Sequence, residues 1–279
     1  VAISVAAPCV PNCEGKQCGL ADGCGGSCGS CGANQTCDAS YQCVCLPEFS
    51  GANCDVCSTD IGWVTRTSSS GLGGNDVLGV FASGTTIYAA TGGGLSISMD
   101  GGSTYKNKTT SNGLGSAVVT GVYVSGSNVY AATLNGLAIS SDGGATFTNK
   151  TTSSGLGHDN VFCVFAPGSN VYAGTAGGLS ISGDGGASFT KKTTADGLGH
   201  NLVYGVHASG ENIYAATFGG LSISRDGGAT FTNKTTAEGL GHNYVYGVFA
   251  TGSSVYAATS GGLSISTDGG ATFTNKTST

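Results

Sequence analysis

Five aspartates recur every 42 residues, Asp100, Asp142, Asp184, Asp226 and Asp268, each inside the frame S-x-D-G-G-x-[TS]-[FY]. Carboxylates so placed are candidate acids and bases. A unit copied this faithfully, however, holds an asymmetric catalytic constellation only where its copies differ. An aspartate heading an Asp-Gly-Gly turn also has a ready structural use, because its side chain bonds to its own backbone. The five are therefore read as turn residues, each followed by an aromatic anchor at Tyr105, Phe147, Phe189, Phe231 or Phe273.

The copies differ just after the Gly-Leu-Gly that opens each unit, at Gly71, Gly113, Gly155, Gly197 and Gly239. Units three to five carry His158, His200 and His242 there, where units one and two carry Gly74 and Ser116. Three equivalent imidazoles on consecutive units are candidate ligand-binding groups, for a metal ion or a sugar. The competing reading is a solvated loop residue inherited by duplication, since no carboxylate cluster accompanies them. No metal site and no cofactor are assigned. Only four glutamates occur, Glu14, Glu48, Glu211 and Glu238, so a paired-carboxylate glycosidase is poorly supported.

Cysteine chemistry is concentrated at one end. Eleven of the twelve cysteines lie between Cys9 and Cys57, a pattern of oxidising compartments. The pairs Cys28-x2-Cys31 and Cys54-x2-Cys57 have metal-like spacing, but a small secreted module normally uses such residues as disulfide staples. Cys163 stands apart, where the other units have Gly79, Gly121, Gly205 and Gly247. It is either a free buried thiol filling a glycine site or the partner of a head cysteine, in the same chain or a neighbour, which would even the count.

The elements that must position these residues follow from the period. Unit four reads as four strands, Val203–Ala208, Ile213–Thr217, Leu221–Ser224 and Thr230–Thr235, separated by Gly-rich turns and alternating with period two. Units of about 40 residues with four strands each predict the blades of a β-propeller. Trp63 lies eight residues before Gly71, as Phe147 lies eight before Gly155, so Trp63–Thr67 reads as a surplus fourth strand. The last unit already owns Phe273–Thr277. Two strands thus compete for one outer position, and either could close the ring.

With 51 glycines, 39% hydrophobic and 9% charged residues, the 279-residue chain suits one large all-β domain plus a small module. A net charge of -6 offers no basic stripe, which argues against nucleic acid. No apolar run is long enough for a membrane-spanning helix. A start at Val1 fits a secreted chain whose signal peptide has gone, and the apolar VAISVAA that follows is expected to pack against something. Sequons at Asn34, Asn107, Asn149, Asn233 and Asn275 matter only in a host that glycosylates asparagine.

The S-x-D-G-G frame resembles the Asp-box (BNR-like) signature of sialidase-like propellers, and the match covers every unit. The resemblance implies a structural aspartate. It also implies that a sialidase would need an arginine triad, and this chain has only Arg66 and Arg225. The segment from Cys43 to Cys54 follows C-x-C-x5-G-x2-C and resembles the C-terminal half of an EGF-like module. That resemblance implies pairs Cys45–Cys54 and Cys31–Cys43, with Cys37 joined to Cys24 or Cys28. Cys9, Cys13 and Cys18 depart from the pattern.

The expected fold is therefore all-β, a five-bladed β-propeller of 42-residue repeats preceded by a small disulfide-rich module. The expected boundaries are an apolar tail at 1–8, an EGF-like module at 9–57 and the propeller at 58–279. The expected function is non-enzymatic: a secreted structural protein that self-associates head to tail by strand addition and disulfides, in a filament or surface layer. The alternative is a lectin or adhesin, since the architecture is similar to five-bladed tachylectin-type proteins. Phe162, Tyr204, Tyr244 and Tyr246 could then stack on glycans, although alternation places most of them in the core.

Overall fold

The computed structural model describes residues 64–277 and, for the backbone alone, six short strands between residues 20 and 57. The chain divides into two compact units, Val1–Thr65 and Arg66–Thr279. In the first, Leu20–Ala21 pairs with Ser27–Cys28, Gln35–Cys37 with Cys43–Cys45, and Phe49–Ser50 with Val56–Cys57, all antiparallel. The apolar tail, the proposed disulfide pairs and Trp63 lie outside the described residues.

The second unit contains five four-stranded antiparallel sheets, one per 42-residue repeat and each a simple meander. In blade 1 the strands are Val77–Ser83, Thr86–Thr91, Gly94–Ser98 and Lys106–Lys108. Blades 2, 4 and 5 repeat these lengths. In blade 3 the first strand, Val161–Phe165, is shorter, ending just before Ala166-Pro167, where proline removes a ladder donor. A 3₁₀ turn precedes each blade, and in blades 2 to 5 it makes the link from the blade before. Thr109/Asn112, Thr193/Asp196 and Thr235/Glu238 form capping boxes there, so Glu238 is used as a cap. The first glycine of Gly-Leu-Gly closes that turn in the left-handed region, at φ 91° for Gly71, where a side chain would collide with the Tyr105 carbonyl.

Successive blades are joined by four apolar cores. The junction of blades 1 and 2 packs Tyr88, Ala90, Leu95 and Ile97 against Leu114, Val119, Val122, Val129 and Phe147. The same residue types recur between blades 2 and 3, 3 and 4, and 4 and 5. The leucine at this junction is fully buried in blades 1 to 4, as Leu95, Leu137, Leu179 and Leu221. No fifth core forms between blades 5 and 1 among the described residues. Leu263 of blade 5 is 43% exposed, and Val77 of blade 1 is 47% exposed where Val119, Val161, Val203 and Val245 are fully buried.

Two expectations are corrected here. Among the described residues the ring is not closed: blade 5 and blade 1 share no buried core, and Leu263 and Val77 stay exposed. Nor do residues 64–67 form a fourth strand. Thr67 instead caps the 3₁₀ turn Ser68–Ser70, accepting from the Ser69 amide, and Lys106–Lys108 and Thr274–Lys276 hold the outer positions of their own blades.

Candidate functional site

Each recurring aspartate closes its own turn. Asp100 accepts from the Ser98 hydroxyl at 2.7 Å, the Thr104 amide at 2.9 Å and the Thr104 hydroxyl at 2.7 Å. The Gly102 amide donates to Ser98 Oγ at 2.8 Å, completing the loop. Asp142, Asp184, Asp226 and Asp268 repeat the arrangement with Thr146, Ser188, Thr230 and Thr272. These bonds hold all five carboxyls well below the usual carboxylate range. The first cause is the turn hydroxyl of Thr104 or Thr230 for Asp100 and Asp226. For Asp142, Asp184 and Asp268 it is the serine, Ser140, Ser182 or Ser266. A carboxylate so strongly held in its ionised form is a poor proton donor at neutral pH.

The turns flank outward grooves between blades. Ile97, Asp100, Lys106 and Lys108 of blade 1 and Asp142 of blade 2 line one of about 430 Å³, with smaller counterparts between blades 2 and 3 and blades 4 and 5. Cations tie adjacent blades together here: Lys108 Nζ donates to the Ala145 carbonyl, Lys192 Nζ to that of Ala229, and the Arg225 guanidinium to that of Gly269.

The three histidines share a local role. Nδ1 of His158, His200 and His242 accepts from the backbone amide two residues on, at 2.9, 3.0 and 2.9 Å. Ser116 makes the same bond through its hydroxyl in blade 2. An acceptor at Nδ1 leaves Nε2 as the atom free for a ligand. Among the described residues no three His, Cys, Asp or Glu side chains gather closely enough to hold a metal ion. What the histidines do meet is aromatic. His200 lies edge-on to Phe218 and His242 to Tyr244, while Phe218 and Tyr244 stack with centroids 3.7 Å apart. Phe162, Tyr204 and Tyr246 extend this patch across the first strands of blades 3 to 5. Tyr244 and Tyr246 are exposed, so alternation was a poor guide to their burial. Phe218 was missed by the sequence reading. The signal was its position after the second strand, where the other units vary between Gly92, Leu134, Ala176 and Ser260.

A second aromatic row runs along the first strands, Phe81, Tyr123, Phe165, His207 and Phe249, with successive centroids 5.1, 5.0, 4.9 and 4.9 Å apart. Burial pushes the His207 imidazole below its ordinary value, against a bond with the Ala250 backbone.

Cys163 is a free thiol. It stands opposite Gly174 on the second strand of blade 3, and burial pushes its pKa up to about 12. The sequon amides of Asn107, Asn149, Asn233 and Asn275 are turned into their own blades, each donating to a carbonyl of the preceding hairpin turn. No helix among the described residues is long and apolar enough to cross a membrane.

No protein-family model matches this chain, and no curated protein does. Solved structures do. The extracellular domain of a hybrid two-component system from B. thetaiotaomicron is similar at 17% identity over 86% of this chain and 32% of its own, TM-score 0.61. PorZ, a surface component of the type-IX secretion system of Porphyromonas gingivalis, matches at 15% identity over 72% and 28%, TM-score 0.55. A GH74 enzyme of Niastella koreensis matches at 20% identity over 72% and 31%, TM-score 0.51. In each of these three the match spans about a third of the other chain's length. At these identities the shared property is the fold alone, an all-β propeller.

Proposed function

We propose that this chain is a non-enzymatic, secreted structural protein of the extracellular space or cell surface, an Asp-box propeller with an EGF-like head, that self-associates head to tail. The observation that carries this reading is the pair of uncovered apolar sheet faces at the two ends of the blade series. Apolar surface of that kind marks an interaction site. The five turn aspartates are committed to their own backbones, which supports the non-enzymatic part. Strand addition by residues 1–8 and disulfides among the head cysteines are proposed as reinforcement. Sedimentation velocity and electron microscopy of the full chain under oxidising conditions test the proposal. Concentration-dependent, open-ended polymers are expected, and a monodisperse monomer at all concentrations would remove it.

A second reading is favoured by the patch of His200, Phe218, His242, Tyr244 and Tyr246, which presents aromatic faces beside imidazole and hydroxyl groups. It suits a lectin that stacks pyranose rings. A glycan array separates the two, since a lectin gives a defined set of positives that Phe218→Ala and Tyr244→Ala abolish.

A further inference from the structure

The four junctions inside the molecule are built from one pair of surfaces. The leading blade supplies the tyrosine, alanine and leucine of its second and third strands, as in Tyr130, Ala132 and Leu137; the following blade answers with Leu156, Val161 and Val171. Blade 5 carries the first surface with no blade following it, Ala258 and Leu263 exposed and Tyr256 half-buried, and blade 1 carries the second, Val77 and Val80 exposed and Ile87 half-buried. Val80 is 67% exposed where its counterpart Val122 is 9% exposed. These faces are already shaped for one another, since the same residue types interlock four times within each molecule.

We infer that the blade 5 face docks on the blade 1 face of a second copy of this chain, packed as the internal junctions are. The interface rests on the self-association proposed above and names its surfaces and partner. Three further features continue across it. The aromatic row ends at Phe249, which is 54% exposed, and its next member is Phe81 of the following copy. A methyl group on Gly205 would meet Gly247 at 3.0 Å, whereas one on Gly247 would meet nothing within 4 Å, so Gly247 keeps open the close approach that a following first strand needs. Lys276 occupies the position from which Lys108 and Lys192 reach the next blade, and the carbonyl awaiting it is that of Ser103 in the second copy.

Such a contact is heterologous, so every added copy presents a fresh end. Two joined copies would place ten blades in succession, beyond the roughly four to eight that a flat propeller ring holds. Successive copies must therefore climb along the axis, which gives a spiral filament with fewer than two copies per turn.

The test uses two full-length variants, Leu263→Glu, which spoils the blade 5 face, and Val80→Glu, which spoils the blade 1 face. Both positions are exposed in the single molecule, so circular dichroism and melting temperature are expected to match the wild type. Each variant alone is expected to be monomeric under conditions in which the wild type polymerises. Mixed in equal amounts, they are expected to form a discrete dimer through their remaining intact faces. A second pair, Ala258→Glu and Val77→Glu, is expected to behave alike. Polymers formed by either variant alone would overturn this interface while leaving self-association standing. A mixture that stays monomeric or grows into long polymers would also overturn it. A wild type that is monomeric throughout would remove both the interface and self-association.

Discussion

Cys163 and Gly174 face each other across the first two strands of blade 3 and invert the pairing that every other blade uses. Elsewhere a glycine stands opposite an alanine, as in Gly79–Ala90, Gly121–Ala132, Gly205–Ala216 and Gly247–Ala258. A methyl group on Gly174 would lie 2.5 Å from Cys163 Sγ and 2.6 Å from the Val203 carbonyl, so the thiol takes part of the space that alanine fills in the other blades, and blade 4 lies close on its other side. Gly174→Ala alone is therefore expected to destabilise by about 1–3 kcal/mol through overpacking. Combining it with Cys163→Gly is expected to recover most of that loss. Chemical denaturation of both variants checks the coupling, and simple additivity would contradict it.

Blade 2 lacks one internal bond. In blades 1, 4 and 5 a buried serine donates to the fourth-strand asparagine, as Ser96 does to Asn107 at 3.0 Å, and accepts from the third residue of Gly-Leu-Gly. Blade 2 has Ala138 at that position, and Asn149 Oδ1 is left buried without a partner. Ala138→Ser is expected to stabilise by about 1 kcal/mol, the usual net worth of a buried hydrogen bond. A lowered melting temperature would show that the cavity rejects the hydroxyl.

The turn aspartates set the acid limit. Each has a folded pKa below its unfolded value, so each contributes stability that is present above about pH 4 and lost as pH falls further. Melting temperature is expected to hold down to about pH 5 and to drop below pH 4. Asp142→Asn with Asp226→Asn is expected to flatten that drop, and an unchanged acid limb in this variant would contradict the assignment.

Much of this fold was legible because 42 residues recur with little change: blade number, strand order and the self-bonding of aspartates such as Asp100 follow from local patterns. What the period could not reveal was closure. Leu263 has the same identity and neighbours in sequence as Leu221, yet one is exposed and the other buried, because burial here depends on whether another blade follows in space. The aromatic patch was half legible for a similar reason: Tyr244 and Tyr246 were visible as residues, but Phe218, on which Tyr244 stacks, lies on a different hairpin of the preceding blade. The local use of His158, His200 and His242 could have been read from Ser116, a turn-bonding residue at the same position.

His207 interrupts a row that is aromatic hydrocarbon or phenol elsewhere. Its folded pKa is lowered by burial, so its contribution is present above about pH 6.5 and lost as pH falls below that value. His207→Phe, which copies Phe165 and Phe249, is expected to raise the melting temperature more at pH 5 than at pH 8. Equal effects at the two values would show that His207 does not titrate against the fold.

The central claim is that this propeller is left open at both ends and is completed by other copies of itself. Electron microscopy of the full-length chain at high concentration tests it most directly. Spiral filaments in which blades run without a break from one copy to the next are predicted, and isolated particles, or closed five-bladed rings, would contradict it.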